Sequence, residues 1–221
     1  RPGPSGRRTR RASTRTEPAP RDSSPRERLA VEFTHAARFL AHSAAMKIES
    51  ESSIAHPVAR VFDAYRDRLP EVAAYLEDIR EIKVLSRDEE GDVTRLHNEW
   101  ASDKDVPAIA AKFIKPEHLL WDDFAVWHAS ETRCTWEIKT RAFTEAVRCT
   151  GETALVSDGE RTRVVLRGEL SIDTSAIAGI PKFLAGRITP QIEKFIVSLV
   201  TPNLESTNSA IGRFLDDQVA G

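Results

Sequence analysis

The 221 residues, 40% hydrophobic and 30% charged, suffice for one domain with a sizeable core. The near-neutral total of −2 conceals a split, because residues 1–45 hold 10 Arg against 4 acidic residues while the remainder holds 22 basic against 30 acidic. An acidic body without clustered Lys and Arg excludes nucleic acid as its partner, and the lack of any apolar run of about 20 residues excludes a transmembrane helix.

The first 28 residues are rich in Arg, Pro and Ser and contain no large apolar side chain, so they are predicted to be disordered. From Leu29 to Ala45 a short amphipathic helix is compatible with Phe33, Ala36, Ala37, Leu40 and Ala44 at helical spacing. Arg-rich, acid-poor composition ahead of such a helix is also that of an organelle transit peptide. Against this, the only Met, Met46, stands at the first residue of a predicted strand. Residues 1–45 are therefore expected to be an extension upstream of a cytoplasmic domain spanning 46–217. Arg10-Arg11-Ala12-Ser13 has the form of a basophilic kinase site, a pattern that an Arg/Ser-rich tail produces by chance.

The body opens with a strand, Lys47 to Ile54. Two short helices follow, each announced by proline near its first position: His56-Pro57 with Val58, Val61, Phe62 and Tyr65 on one face, then Leu69-Pro70 with Val72, Ala73 and Leu76. Strands are predicted from Arg80 to Arg87 and Asp92 to Ala101, joined at Glu90-Gly91-Asp92. Val106 to Ile114 reads as a helix and Leu120 to His128 as a fourth strand. Between Thr132 and Asp173 apolar and polar residues alternate in three further runs. The first is Cys134, Trp136, Ile138; the second Val147, Cys149, Thr153, Leu155; the third Thr162, Val164, Leu166, Leu170, Ile172. Side chains alternate faces along a strand, so these are antiparallel strands with one buried and one wet face. Gly151 and Gly168 lie inside them, where glycine marks a bend or a close approach.

The chain closes with a helix from Pro190 to Asp217, Thr189-Pro190 supplying N-cap and N1. At 100° per residue Ile188, Ile192, Phe195, Ile196 and Leu199 share one side, and the same line continues through Asn203, Ser206, Thr207 and Ala210 to Phe214. Small and polar residues there fit the wall of a cavity that orients a ligand head group. Equally, Pro202 could kink the helix and pass burial to Leu204, Ile211 and Leu215. Both readings stay open.

The order of strand, two helices, six strands and long helix resembles the START-like (SRPBCC, helix-grip) superfamily, shared by the birch pollen allergen, polyketide cyclases and steroidogenic lipid-transfer domains. The resemblance covers Met46 to Asp217 and suggests an uncharacterised branch. It rests on Met46-Lys47-Ile48 entering the first strand, Ala55-His56-Pro57-Val58-Ala59-Arg60-Val61-Phe62 opening the first helix, and Pro190-Gln191-Ile192-Glu193-Lys194-Phe195. It implies an α+β fold in which a curved antiparallel sheet of about seven strands wraps the last helix around an apolar cavity. It transfers no active-site residue. The segment from Asp103 to Glu117 departs from the simplest members as a lid or a longer connection.

The expected function is non-enzymatic binding or transport of a lipid or other apolar small molecule, with transient membrane contact allowed. The candidate ligand-binding residues are Trp100, Trp136, Ile138, Leu155, Leu166, Ile192, Phe195, Leu199, Asn203 and Ser206. A polyketide cyclase/aromatase-like enzyme in the same cavity is the alternative, and a protein-interaction module with a filled core is another. No catalytic residue, cofactor or metal is assigned, and the oligomeric state is left open. His97 and Glu99 share a parity that faces solvent, while Asp122-Asp123 with His118 and His128 match no standard metal spacing and read as a solvated acidic turn. Phosphate loops, nucleophile elbows and paired-cysteine motifs do not occur. Cys134 and Cys149, the only cysteines, are expected buried and reduced rather than bridged.

Overall fold

A computed structural model describes residues 45–106, 108, 111, 119–141, 144–173, 176 and 182–220, with backbone alone for 182–188. Residues 1–44, with the expected disorder and most of the amphipathic helix, lie outside the described residues, as does most of 103–117 with the helix expected at Val106 to Ile114.

In the unit Ala41–Gly221, β1 (Met46–Ile54) leads into α1 (Val58–Asp67) and α2 (Leu69–Val72), which a 3-10 turn at Ala73–Tyr75 extends. There follow β2 (Ile79–Glu90), β3 (Val93–Ser102), β4 (Leu120–His128), β5 (Arg133–Thr140), β6 (Val147–Asp158), β7 (Arg161–Ile172) and α3 (Lys182–Ala220). The seven strands form one curved antiparallel sheet in the order β1-β7-β6-β5-β4-β3-β2. The tight turns form where the sequence places glycine, with φ of 62° at both Gly91 and Gly159, a conformation glycine adopts without steric cost.

Period-two alternation sets the inner face. Cys134, Trp136 and Ile138 are buried on β5, Val147, Cys149, Thr153 and Leu155 on β6, and Thr162, Val164, Leu166, Leu170 and Ile172 on β7. Both cysteines are free and buried. Gly151 and Gly168 are paired neighbours, and the Trp136 ring lies across both. A Cβ on Gly151 would stand 2.4 Å from that ring and from the Arg167 carbonyl oxygen.

The last helix differs from expectation at its start. It begins at Lys182 rather than Pro190, so Pro190 and Pro202 are interior and Thr189-Pro190 is not its N-terminus. A proline removes one backbone donor and crowds the preceding turn. Close to Pro202, Asn203 Nδ2 donates to the Leu199 carbonyl at 2.6 Å, a side-chain bond that helps satisfy the loosened turn. Tertiary packing outweighs the local cost: Ile192, Ala210 and Ile211 are fully buried. Members of both faces weighed from the sequence are buried, Asn203, Thr207, Ala210 and Phe214 of one and Ile211 and Leu215 of the other, while Ser206 and Leu204 are half-buried.

Polar contacts fix the helix against its neighbours. The Tyr65 hydroxyl on α1 donates to Asn208 Oδ1, and Asn208 Nδ2 donates to Ser52 Oγ on β1 at 2.8 Å. His56 Nε2 and Asp216 Oδ1 are 2.8 Å apart, and the Tyr75 hydroxyl donates to Asp217 Oδ2 at 2.7 Å.

Candidate functional site

Between the inner face of the sheet and α3 lies a cavity of about 80 Å³. Its floor follows from strand parity. On β4 the residues Trp121, Asp123, Ala125 and Trp127 share the inner face, opposite Trp100 and Asn98 on β3 and Cys134, Trp136 and Ile138 on β5. Ala125 is the smallest of these floor side chains, and Trp136 faces it from the next strand. Room is left between the large rings.

The helical wall is Val200, Asn203, Leu204, Thr207 and Asn208, at spacings that keep them on one side of α3, and Tyr65 and Leu69 complete the rim from α1 and α2. This arc is turned by roughly 100°, one residue, from the line read in the sequence. Asn203 and Thr207 fall where the two arcs overlap.

Five of the ten candidate residues therefore border the cavity: Trp100, Trp136, Ile138, Leu166 and Asn203. Leu155, Ile192, Phe195 and Leu199 are core residues away from it. Leu155 lies one inward step beyond Thr153 on β6, and the three helix residues are on the arc that packs against apolar neighbours. Ser206, at the far edge of that arc, is half-buried and contacts the Asn203 carbonyl at 3.4 Å through its hydroxyl.

All four tryptophans line the cavity. Trp100 and Trp121 stack at 5.8 Å between centroids, and Phe62 meets Trp127 edge-on at 5.2 Å. Trp136 Nε1 donates to Thr153 Oγ1 at 3.1 Å, which fixes its ring.

The group that sequence reading missed is Asp123. Asp122-Asp123 is not a turn: both residues are in the middle of β4, on opposite faces. Asp123 shares the inward parity of Trp121 and Trp127, is half-buried and lines the cavity. Asn98 Nδ2 donates to its Oδ2 at 3.1 Å. Burial pushes the Asp123 carboxyl up to about 6, opposed by the Asn98 bond, by the nearby Trp100 indole, which lacks hydrogen-bond geometry, and by His97. Among the described residues the buried side-chain atoms without a hydrogen-bond partner are Asn98 Oδ1, Trp100 Nε1 and Trp127 Nε1. All three belong to residues on the inner faces of β3 and β4, around Asp123. Asn98 and Trp100 flank Asp123 on the neighbouring strand, and Trp127 lies two inward steps further along β4.

The outer face is the reverse. His97 Nε2 lies 2.8 Å from Asp122 Oδ1, its ring stacked on Phe124 at 4.4 Å, and Arg141 bonds both Asp122, at 3.2 Å, and Glu99, at 2.5 Å. His97 and Glu99 thus face away from the cavity. No cluster of three metal-ligating side chains forms among the described residues, nor is any of their helices long and apolar enough to cross a membrane.

A curved sheet and a long helix with a cavity between them define a helix-grip protein. A family model described as "Protein of unknown function (DUF2505)" matches residues 49–211, and the chain belongs to that family. Among solved structures it is similar to TTHA0849 from Thermus thermophilus, with 21% identity, TM-score 0.52, and coverage of 76% of this chain and 95% of that one. It is also similar to the Zhui aromatase/cyclase from Streptomyces sp. R1128, with 13% identity, TM-score 0.51, and coverage of 78% and 96%. A third likeness is norcoclaurine synthase from Thalictrum flavum, with 10% identity, TM-score 0.53, and coverage of 80% and 90%. At these identities the likeness is one of fold. No curated protein matches the chain.

Proposed function

We propose that the protein binds a small, flat, predominantly apolar molecule between the four tryptophans and α3, as a binder or carrier rather than an enzyme. The observation that carries this reading is the convergence of Trp100, Trp121, Trp127 and Trp136 on one cavity. Its volume bears on the ligand. A cavity of roughly 150 Å³ takes up benzene, so at about 80 Å³ this one takes at most a single-ring molecule, and only if the rim yields. A two-chain lipid is out of proportion to it. An interaction module with a filled core is disfavoured by the same space.

Because all four tryptophans border the cavity, ligand entry should alter their fluorescence. Titration with benzyl alcohol is expected to give a saturable change that Leu204→Phe, which places a ring at the rim, weakens or abolishes. Native mass spectrometry of the purified protein then seeks a bound small molecule. No saturable change with any single-ring aromatic, together with an unaffected Leu204→Phe variant, would sink the reading.

Asp123 favours a second reading, in which the same cavity performs ring-closing chemistry of the cyclase/aromatase kind. A carboxyl near 6 is suited to proton transfer at neutral pH. Turnover of a polyketide-like substrate that Asp123→Asn abolishes would support it.

A further inference from the structure

We propose that the occupant carries a cation: a protonated amine on a small aromatic frame, its nitrogen against Asp123 and its ring among the tryptophans. This rests on reading the cavity as a small-molecule site.

The argument is one of missing countercharge. Asp123 is the only acidic residue bordering the cavity, and no Lys, Arg or His borders it among the described residues. Among the described residues, the hydrogen bond it accepts there comes from the neutral amide of Asn98. One residue away, on the opposite face, Asp122 holds both Arg141 and His97. A carboxylate inside an apolar wall is costly when unpaired and stable when a cation meets it. Indole and phenol rings, which make up much of the wall here, attract cations through their faces. A ligand carboxylate would be repelled by Asp123, and a neutral ligand would leave the acid unpaired.

Among the described residues, the other titratable groups around Asp123 do not supply the charge. Tyr65 on α1, Cys134 on β5 and Cys149 on β6 are all pushed up by burial, Cys149 to about 12, and stay neutral through the physiological range. From α3 come Asn203, Thr207 and Asn208, which do not titrate. His97 lies behind the sheet, bonded to Asp122.

Benzylamine and benzyl alcohol, nearly equal in shape, test this on the full chain by calorimetry. At pH 7.5 the amine is expected to bind tighter by on the order of tenfold or more, as for a hydrogen bond to a charged group. With Asp123 ionising at about 6, amine affinity should fall roughly tenfold by pH 5 as the carboxylate is protonated, while the alcohol changes little. Asp123→Asn should bring the amine to the level of the alcohol or below it, since the ammonium then lacks a partner, and remove the pH dependence. If wild-type protein binds the two alike, or if the variant keeps the preference or its pH dependence, the amine assignment falls and small-molecule binding stands. If neither ligand binds, both fall. The wild-type comparison is independent of how the variant folds.

Discussion

Asp122 and Asp123 are neighbours in sequence with the same side chain, yet the two faces of β4 give them opposite chemistry. On the outer face, partial burial of Asp122 is outweighed by the bonds from Arg141 and His97, and its carboxyl is held below the ordinary range. On the inner face burial dominates, and Asp123 is raised to about 6. A charge on the wet side of this sheet is part of a network. The one on the dry side meets no countercharge among the described residues, at the place where the molecule leaves space. Burial without a partner, more than the presence of an acid, distinguishes the candidate site from an ordinary ion pair.

The contrast requires an inner face that is close-packed outside the cavity. Gly151→Ala tests that packing and should have the largest effect. Its Cβ would meet the Trp136 ring and the Arg167 carbonyl oxygen, both at 2.4 Å, and backbone cannot swing aside as a flexible side chain can. A loss of about 3 kcal/mol or more is expected, the upper end for overpacking, read from the urea midpoint. A neutral outcome would mean that Trp136 moves freely and that the cavity is larger than it looks.

The two aspartates provide the direct test. The folded pKa of Asp123 is above its unfolded value of 3.8, so the folded state binds the extra proton. Its stabilisation is complete below about pH 4 and lost as pH rises through about 6. Asp123→Asn should therefore stabilise the protein at pH 8 by on the order of 1–3 kcal/mol and leave it unchanged near pH 4. For Asp122 the sign reverses. Its depressed pKa gives stability that is present above 3.8 and lost on acidification. Asp122→Asn should cost up to about 1 kcal/mol at pH 7, the range of a partly exposed pair, and progressively less as pH falls below 3.8. Thermal unfolding of both variants across pH 3–8 decides. Equal signs would erase the difference between the faces.

Much of this was legible in the strands. Period-two alternation places Cys134, Trp136 and Ile138 without tertiary knowledge, and β4 emerges at Leu120–His128 as expected. The signal for Asp123 was also present, because Trp121, Ala125 and Trp127 share its parity. An acidic doublet reads as solvent-exposed, and that reading hid it. Tyr65 and Leu69 were legible only as apolar faces of short helices, since their place at the rim depends on how α1 and α2 dock. The start of α3 was obscured by Pro190, whose local signature is that of a first turn whether or not tertiary packing carries the helix through it.

The smallest effect comes from the same substitution on the other wall. Gly212 lies in α3, half-buried, and a Cβ there would find its nearest neighbour, Ile54 Cγ2, at 3.9 Å, an ordinary van der Waals contact. Nothing is displaced, and alanine restricts the unfolded chain and favours the helix. Gly212→Ala should stabilise by roughly 0.5–1 kcal/mol, a rise in melting temperature of a few degrees. Gly151→Ala and Gly212→Ala thus change one hydrogen to a methyl on facing walls with opposite signs. If the helix variant were instead destabilised, α3 would press more tightly on β1 than a 3.9 Å approach allows. Slack on the helical side, which the cavity at Asn203 and Thr207 requires, would then have to be confined to the turns bordering Pro202.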